Sequence, residues 1–219
     1  MQELSAERQM KIVVFGSTGG TGREIVRQAL LLGHDVTAFA RRPQAVGVAH
    51  ERLGIVEGDA LRQASVDNAI EGQDAVLSAL GSRSLFRHIT LLSESTRYIV
   101  GAMERQGVRR LVVETSLGVG DSRGQLGLFG TWIAVGVFLA QIYADKERQE
   151  RIIAQSRLDW TIVRPAMLTN GSQRGNYRTW SGAAPKSPAS RISRADVAHF
   201  MLSILGETET HHRAVNCSY

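Results

Sequence analysis

The chain reads as an α/β protein built on a doubly wound parallel sheet, and three observations point there. Short apolar runs of strand length alternate with longer stretches of helical periodicity, as a parallel sheet covered on both faces requires. The first run, Lys11–Phe15, passes directly into a glycine turn, Gly16-Ser17-Thr18-Gly19-Gly20-Thr21-Gly22, which opens a helical stretch over 23–32. The bulk composition is that of an ordinary globule: 219 residues, 43% hydrophobic and 21% charged. Residues 1–10 are polar, carry no leader pattern and are expected to form a flexible extension. Residues 11–219 are expected to form a single domain.

The glycine turn carries the strongest functional signal. A strand, a glycine turn and a helix in that order make a pocket for a pyrophosphate. Gly16 allows the tight turn, Gly19 lets the backbone approach phosphate oxygens, and Gly22 lets the helix lie close on the sheet. The free amides and positive dipole end of the helix then face the anion.

The remaining elements follow in order. Gly33 and His34 end the first helix, and Asp35–Ala40 is the second strand, followed by Arg41-Arg42-Pro43. A carboxylate at that strand end would bond ribose hydroxyls. Two arginines suit a 2′-phosphate instead, so NADP(H) is the expected cofactor. Leu53–Glu57 is the third strand. Asp59, just beyond it, has two compatible roles open: accepting from an adenine amino group, or capping a helix over 61–71. The fourth strand runs over 73–80 and ends at Gly81-Ser82-Arg83. A helix over 89–106 carries Leu91, Leu92, Ser95, Tyr98, Ile99 and Ala102 on one face and stops at Gly107.

Arg110–Glu114 is the fifth strand, with Thr115 and Ser116 at its carboxyl edge, where ligands bind in such sheets. A glycine-rich loop over 117–124 is expected to be mobile. The uncharged segment 125–144 approaches spanning length, but it holds Gln125, Gln141 and internal glycines inside a βα pattern. It is therefore read as a lid, a buried helix or an interface, with no membrane span. A charged helix over 145–156 and a strand over 158–165, stopped by Pro165, come next. Segment 169–190, rich in Gly, Ser, Asn and Pro, is expected to form a small C-terminal substrate-side lobe, with Tyr177 and Trp180 beside the acceptor. Ser193 should cap a last helix with Asp196 in its first turn, and 211–219 should add an edge strand.

These residues resemble the atypical short-chain dehydrogenase/reductases of the NAD(P)H-binding, NmrA-like kind, close to the biliverdin-IXβ reductase/flavin reductase group. The marks are the G-x-x-G-x-x-G turn, Arg41-Arg42, Gly58-Asp59, Gln73-Asp74-Ala75-Val76, Thr115-Ser116, Lys146 with Glu150, Asp159 through Pro165, and Ile192-Ser193-Arg194-Ala195-Asp196-Val197. The resemblance implies a Rossmann-like domain. Its implied cofactor contacts run from Gly16 to Gly22, through Arg41, Arg42, Asp59 and Ala60, then Ala79, Leu80, Gly81 and Arg83. Thr115, Ser116 and the backbone from Pro165 to Met167 would lie beside the nicotinamide, and Lys146 would reach its ribose. Ser116 and Lys146 are the implied catalytic residues. Two departures stand out. The biliverdin/flavin reductases carry histidines where this chain has Met167 and Lys146. Tyr143 precedes Lys146 by three residues, one fewer than in the classical Tyr-x-x-x-Lys pair, which leaves Tyr143 either a packing residue or an acid.

The expected activity is hydride transfer from NADPH to a planar small-molecule acceptor such as a flavin or quinone. The alternative is a non-catalytic, dinucleotide-binding redox sensor, with the apolar 126–143 stretch as a homodimer or protein-partner surface. An epimerase or dehydratase reading is weakened by the incomplete tyrosine–lysine pair. A net charge of +5 without a basic run, the absence of a reading motif, histidines without ligand spacing and the lack of a G-x-S-x-G elbow argue against nucleic-acid, metal and hydrolase functions. The single cysteine, Cys217, fits a reducing, cytoplasmic location.

Overall fold

The computed structural model describes residues 9–81, 90–122, 136–182 and 191–219. In chain order these form β1 (Lys11–Phe15), α1 (Gly20–Leu31), β2 (Asp35–Ala40), β3 (Leu53–Glu57), α2 (Gln63–Ile70), β4 (Ala75–Ser78), α3 (Leu91–Gln106) and β5 (Arg110–Glu114). Then come α4 (Gly136–Ala154), β6 (Asp159–Pro165), β7 (Met167–Thr169), β8 (Arg178–Trp180), β9 (Arg191–Ser193), α5 (Arg194–Ser203) and β10 (Arg213–Ser218). The main sheet has the order β3-β2-β1-β4-β5-β6-β10-β8. Its neighbours pair in parallel except β8, which runs antiparallel to β10, and β7 and β9 form a separate two-stranded ribbon.

Strand alternation splits the core into two layers. Ile12 and Val14 of β1 face one side, with Ile25 and Val26 of α1 and Val197 and Met201 of α5. Val13 and Phe15 face the other, with Ile70 of α2, Ile99 and Met103 of α3 and Ile153 of α4. The helix ends follow local chemistry. Gly107 adopts φ 74° and closes α3 in the left-handed conformation that glycine takes without strain. Ser193 caps α5, its hydroxyl accepting from the Asp196 amide at 3.0 Å. Asp196 in turn accepts from the Arg174 and Gly175 amides and the Tyr219 hydroxyl, which ties the segment between β7 and β8 to the start of α5.

Three expectations are corrected. The segment 211–219 does not add an edge strand: β10 lies between β6 and β8, because Val215 to Ser218 are buried and both of its sides find partners. The loop after β5 is anchored rather than loose over 117–122. Leu117 and Val119 are buried, and the Ser122 hydroxyl accepts from the Gly118 amide at 2.8 Å. The charged helix is longer than its charges suggest, since α4 begins at Gly136 and absorbs the end of the uncharged segment. The rest of that segment, 125–135, lies outside the described residues. No helix among the described residues is long and apolar enough to cross a membrane.

Leu111, in central β5, is fully buried, whereas Leu31 at the end of α1 is 74% exposed. Leu111→Ala should cost about 2–5 kcal/mol in a urea titration, and Leu31→Ala should stay within about 0.5 kcal/mol of the parent.

Candidate functional site

The parallel strands β1 to β6 end at the same edge of the sheet, and a crevice of about 490 Å³ opens there above β1, β2, β4 and β5. Its shape begins with Gly16, at φ +80°. A side chain there would collide with the Ala79 carbonyl at the end of β4, so only glycine permits this approach. The Gly19 amide donates to the Gly16 carbonyl at 2.8 Å and closes the turn. Gly19 then caps α1 without a side-chain acceptor, and the first turn of α1 holds no acidic residue. Its amides and its positive dipole end are thus open to an anion from outside.

Residues 18–21 form one wall. Residues 39–42 at the end of β2 and 58–61 beyond β3 form the outer end, with Arg41 and Arg42 both exposed. Residues 79–81 form the floor, and Glu114, Thr115 and Lys146 close the inner end together with Leu168 and Arg194.

The inner end is held by buried charge. The Lys146 ammonium donates to the Thr115 carbonyl at 2.6 Å. The Thr115 hydroxyl donates to Glu150 Oε1 at 2.7 Å. Glu150 receives the forked guanidinium of Arg164 at 3.0 and 2.7 Å, with both partners buried. Glu114 Oε1 accepts from the Thr21 hydroxyl in the first turn of α1 at 3.0 Å. Burial pulls the Lys146 ammonium below its usual range, against the pull of Glu114 and Glu150. Burial pushes the Glu114 carboxyl above its usual range, against Lys146, the Thr21 hydroxyl and Arg194.

Gly16, Thr18, Gly19, Gly20, Thr21, Arg41, Arg42, Asp59, Ala60, Ala79, Leu80, Gly81, Thr115 and Lys146 therefore meet at one crevice. Others of the expected set lie behind its surface. The Ser17 hydroxyl donates to the Phe39 carbonyl at 2.8 Å, pinning the turn to β2. Gly22 sits against the Gly16 carbonyl, with no room for a side chain. Ser116, next along the chain from Thr115, is half-buried and is not among the residues that line the crevice. The Pro165 carbonyl accepts from the Leu117 amide and joins the ends of β5 and β6.

Met167 points away, 66% exposed, because strand alternation turns the next residue, Leu168, inward. Asp59 does not cap α2, which starts at Gln63 after Arg62. Its carboxylate accepts from the Leu61 amide and stays on the wall. The Tyr143 hydroxyl faces the Leu117 carbonyl at 3.4 Å and not the crevice. Tyr177 bonds His199 and packs on Phe200, and Trp180 lies in β8 at the sheet edge, so neither lines the crevice. Arg83 lies outside the described residues.

Glu114 and Arg194 were not expected at the site. The signal for Glu114 was a carboxylate ending an otherwise apolar buried strand. For Arg194 it was its place beside a helix-capping serine.

A glycine turn feeding an uncapped helix, at the carboxyl edge where strand order reverses, is the arrangement of a dinucleotide-binding Rossmann-like domain. Residues 16–208 match a family described as NAD(P)H-binding, and the chain belongs to that family. An uncharacterized chloroplastic protein of Arabidopsis thaliana is 32% identical over 181 residues, which cover 78% of this chain and 64% of that protein. A short-chain dehydrogenase/reductase of Veillonella parvula, solved in complex with NADP, superposes with a TM-score of 0.79 at 19% identity, over 95% of this chain and 94% of that one. An anaerobillin reductase of Escherichia coli O157:H7 superposes equally well, 0.79 at 22% identity, over 95% and 96%. At these identities the two structures share the fold.

The Glu150–Arg164 pair gives a test of the framework. Glu150→Gln removes the carboxylate facing a buried guanidinium and should cost about 3–5 kcal/mol in denaturant titration. Replacing both partners together with leucine and methionine should recover part of that loss.

Proposed function

We propose that the protein is an NADPH-dependent reductase that passes hydride to a planar acceptor such as a flavin or quinone. One observation carries the cofactor reading: the order of charge along the crevice. Two arginines stand at the β2 end, an uncapped helix start in the middle, and Lys146 with Thr115 at the β5 end. A 2′-phosphate, a pyrophosphate and a ribose follow one another in NADP(H) in the same order.

The residues present fit that group. The Gly16–Ala79 approach and the open first turn of α1 leave room and donors for the pyrophosphate. The bound nicotinamide would supply the hydride. Arg41 and Arg42 would hold the 2′-phosphate by forked, charge-assisted hydrogen bonds. Lys146, fixed by the Thr115 carbonyl, would present its remaining hydrogens to ribose hydroxyls, and the Glu150–Arg164 pair would keep Thr115 in place. Among the described residues, no tyrosine or histidine lines the crevice as a proton donor. That favours an acceptor whose product solvent can protonate over a carbonyl that needs a positioned acid. The fold shared with a reductase supports the same class.

Two measurements test the reading. Arg41→Gln with Arg42→Gln should weaken NADPH by about 10- to 100-fold, through loss of charge-assisted bonds, and leave NADH within about twofold. Equal losses for both dinucleotides would remove the 2′-phosphate assignment. Steady-state oxidation of NADPH with FMN or a simple quinone should show a saturable, acceptor-dependent rate. Background turnover despite tight NADPH binding would replace the reductase with a dinucleotide-binding redox sensor.

A further inference from the structure

We infer that Glu114 is a proton-accepting group of the dinucleotide site, taking up a proton when the pyrophosphate arrives and setting the affinity against pH. The inference rests on the cofactor reading above and goes beyond it in naming what the inner end does.

Three structural facts support it. Glu114 is 8% exposed yet lines the crevice, so its carboxyl faces the ligand space from a nearly closed position. Its hydrogen bond runs to the Thr21 hydroxyl, and Thr21 belongs to the uncapped first turn of α1. The carboxyl therefore sits beside the first turn of α1, next to where an incoming pyrophosphate would lie, and two anions there oppose each other. Neither nearby cation forms an ion pair with it: Lys146 donates to the Thr115 carbonyl, and Arg194 to the Asn170 side chain at 2.6 Å. A buried carboxyl with one direct hydrogen bond favours its neutral form, burial outweighing the pull of Lys146, the Thr21 hydroxyl and Arg194.

The charged and titratable surroundings are Lys146 from α4, Arg194 from α5 and Cys217 from β10. The Glu150–Arg164 pair lies beyond Lys146 and balances itself. The Cys217 thiol is itself held up by burial and by Glu114, so it stays neutral and adds no charge. Arg194 and Lys146 are the cations an incoming anion would share with Glu114. As they turn toward the ligand, the carboxylate loses part of its compensation.

The sign follows directly. A bound anion raises the Glu114 pKa above its value in the free protein, which burial has already raised. The complex then holds more protons than the free protein, and affinity falls as pH rises through the interval between the two values. Each unit of upward shift on binding corresponds to about a tenfold loss of affinity across that interval.

The test is calorimetric titration with ADP-ribose and with NADPH, in paired buffers of different ionisation heat, from mildly acidic to mildly alkaline pH. Wild-type protein should take up a fraction of a proton per ligand and lose affinity with rising pH. Glu114→Gln should lose that uptake and bind with an affinity nearly flat in pH, tighter than wild type at the alkaline end. The 2′-phosphate's contribution persists in the variant and is absent with ADP-ribose, whereas Lys146 is coupled to Glu114 and is told apart by the carboxyl signal below. Infrared difference spectra of the wild-type protein need no variant to fold: a protonated-carboxyl stretch should grow when ADP-ribose is added. Binding with equal proton uptake in wild type and Glu114→Gln, or without growth of that stretch, would overturn the inference and leave the reductase reading standing. Absence of binding by either ligand would overturn both.

Discussion

The structure depends on one close approach. Gly16 brings the end of β1 against the Ala79 carbonyl at the end of β4. Because β1 pairs with β2 on one side and β4 on the other, the chain first runs outward to β3 and then returns across β1 to continue through β4, β5 and β6. The carboxyl ends part at that reversal, and a crevice must open between them. A side chain at Gly16 would push the strands apart or shift the turn, and with it the start of α1. The helix dipole, the floor at 79–81 and the outer arginines are aligned because this contact permits them to be.

A second constraint is electrostatic. The inner end gathers three ionisable groups, the buried Glu114 and Glu150 and the half-buried Lys146, with Arg164 behind them. Only Glu150 and Arg164 pair directly. That pair is costly to bury and costly to break, and its effect is positional, because Glu150 also receives the Thr115 hydroxyl while Thr115 receives Lys146. The lysine at the inner end is thus held by backbone that a buried ion pair keeps still. Glu114 stands apart from this chain, with the Thr21 hydroxyl as its bond, and its protonation can respond to what enters.

Much of the fold was legible because parallel strands buried on both faces are apolar and sharply bounded. β2, β3 and β5 begin and end where their residues indicated. The glycine turn was legible for the same local reason: its φ and contact requirements fall on particular residues. What depends on long-range pairing was not. The place of β10 inside the sheet follows from partners at 161–165 and 178–180, which no local pattern in 213–218 names. Met167 and Leu168 could not be told apart without the direction of β7, since alternation fixes that one faces inward but not which. Tyr177 and Trp180 looked like acceptor contacts because aromatics in a polar loop suggest a ligand. Instead, Tyr177 turns back onto α5 and Trp180 joins the edge strand β8. Glu114 was visible as a charge at a strand end, but its bond to Thr21 joins residues 93 apart in the chain.

Amide hydrogen exchange with and without NADPH examines the seat of the dinucleotide most directly. A pyrophosphate on the start of α1 predicts slowed exchange at the amides of Gly19 to Gly22, together with residues 79–81. A second cavity of about 370 Å³ lies at the opposite end of the strands, between Arg109, Asp159 and His211, and should show no change. Protection confined to that cavity, with the glycine turn unaffected, would contradict the account.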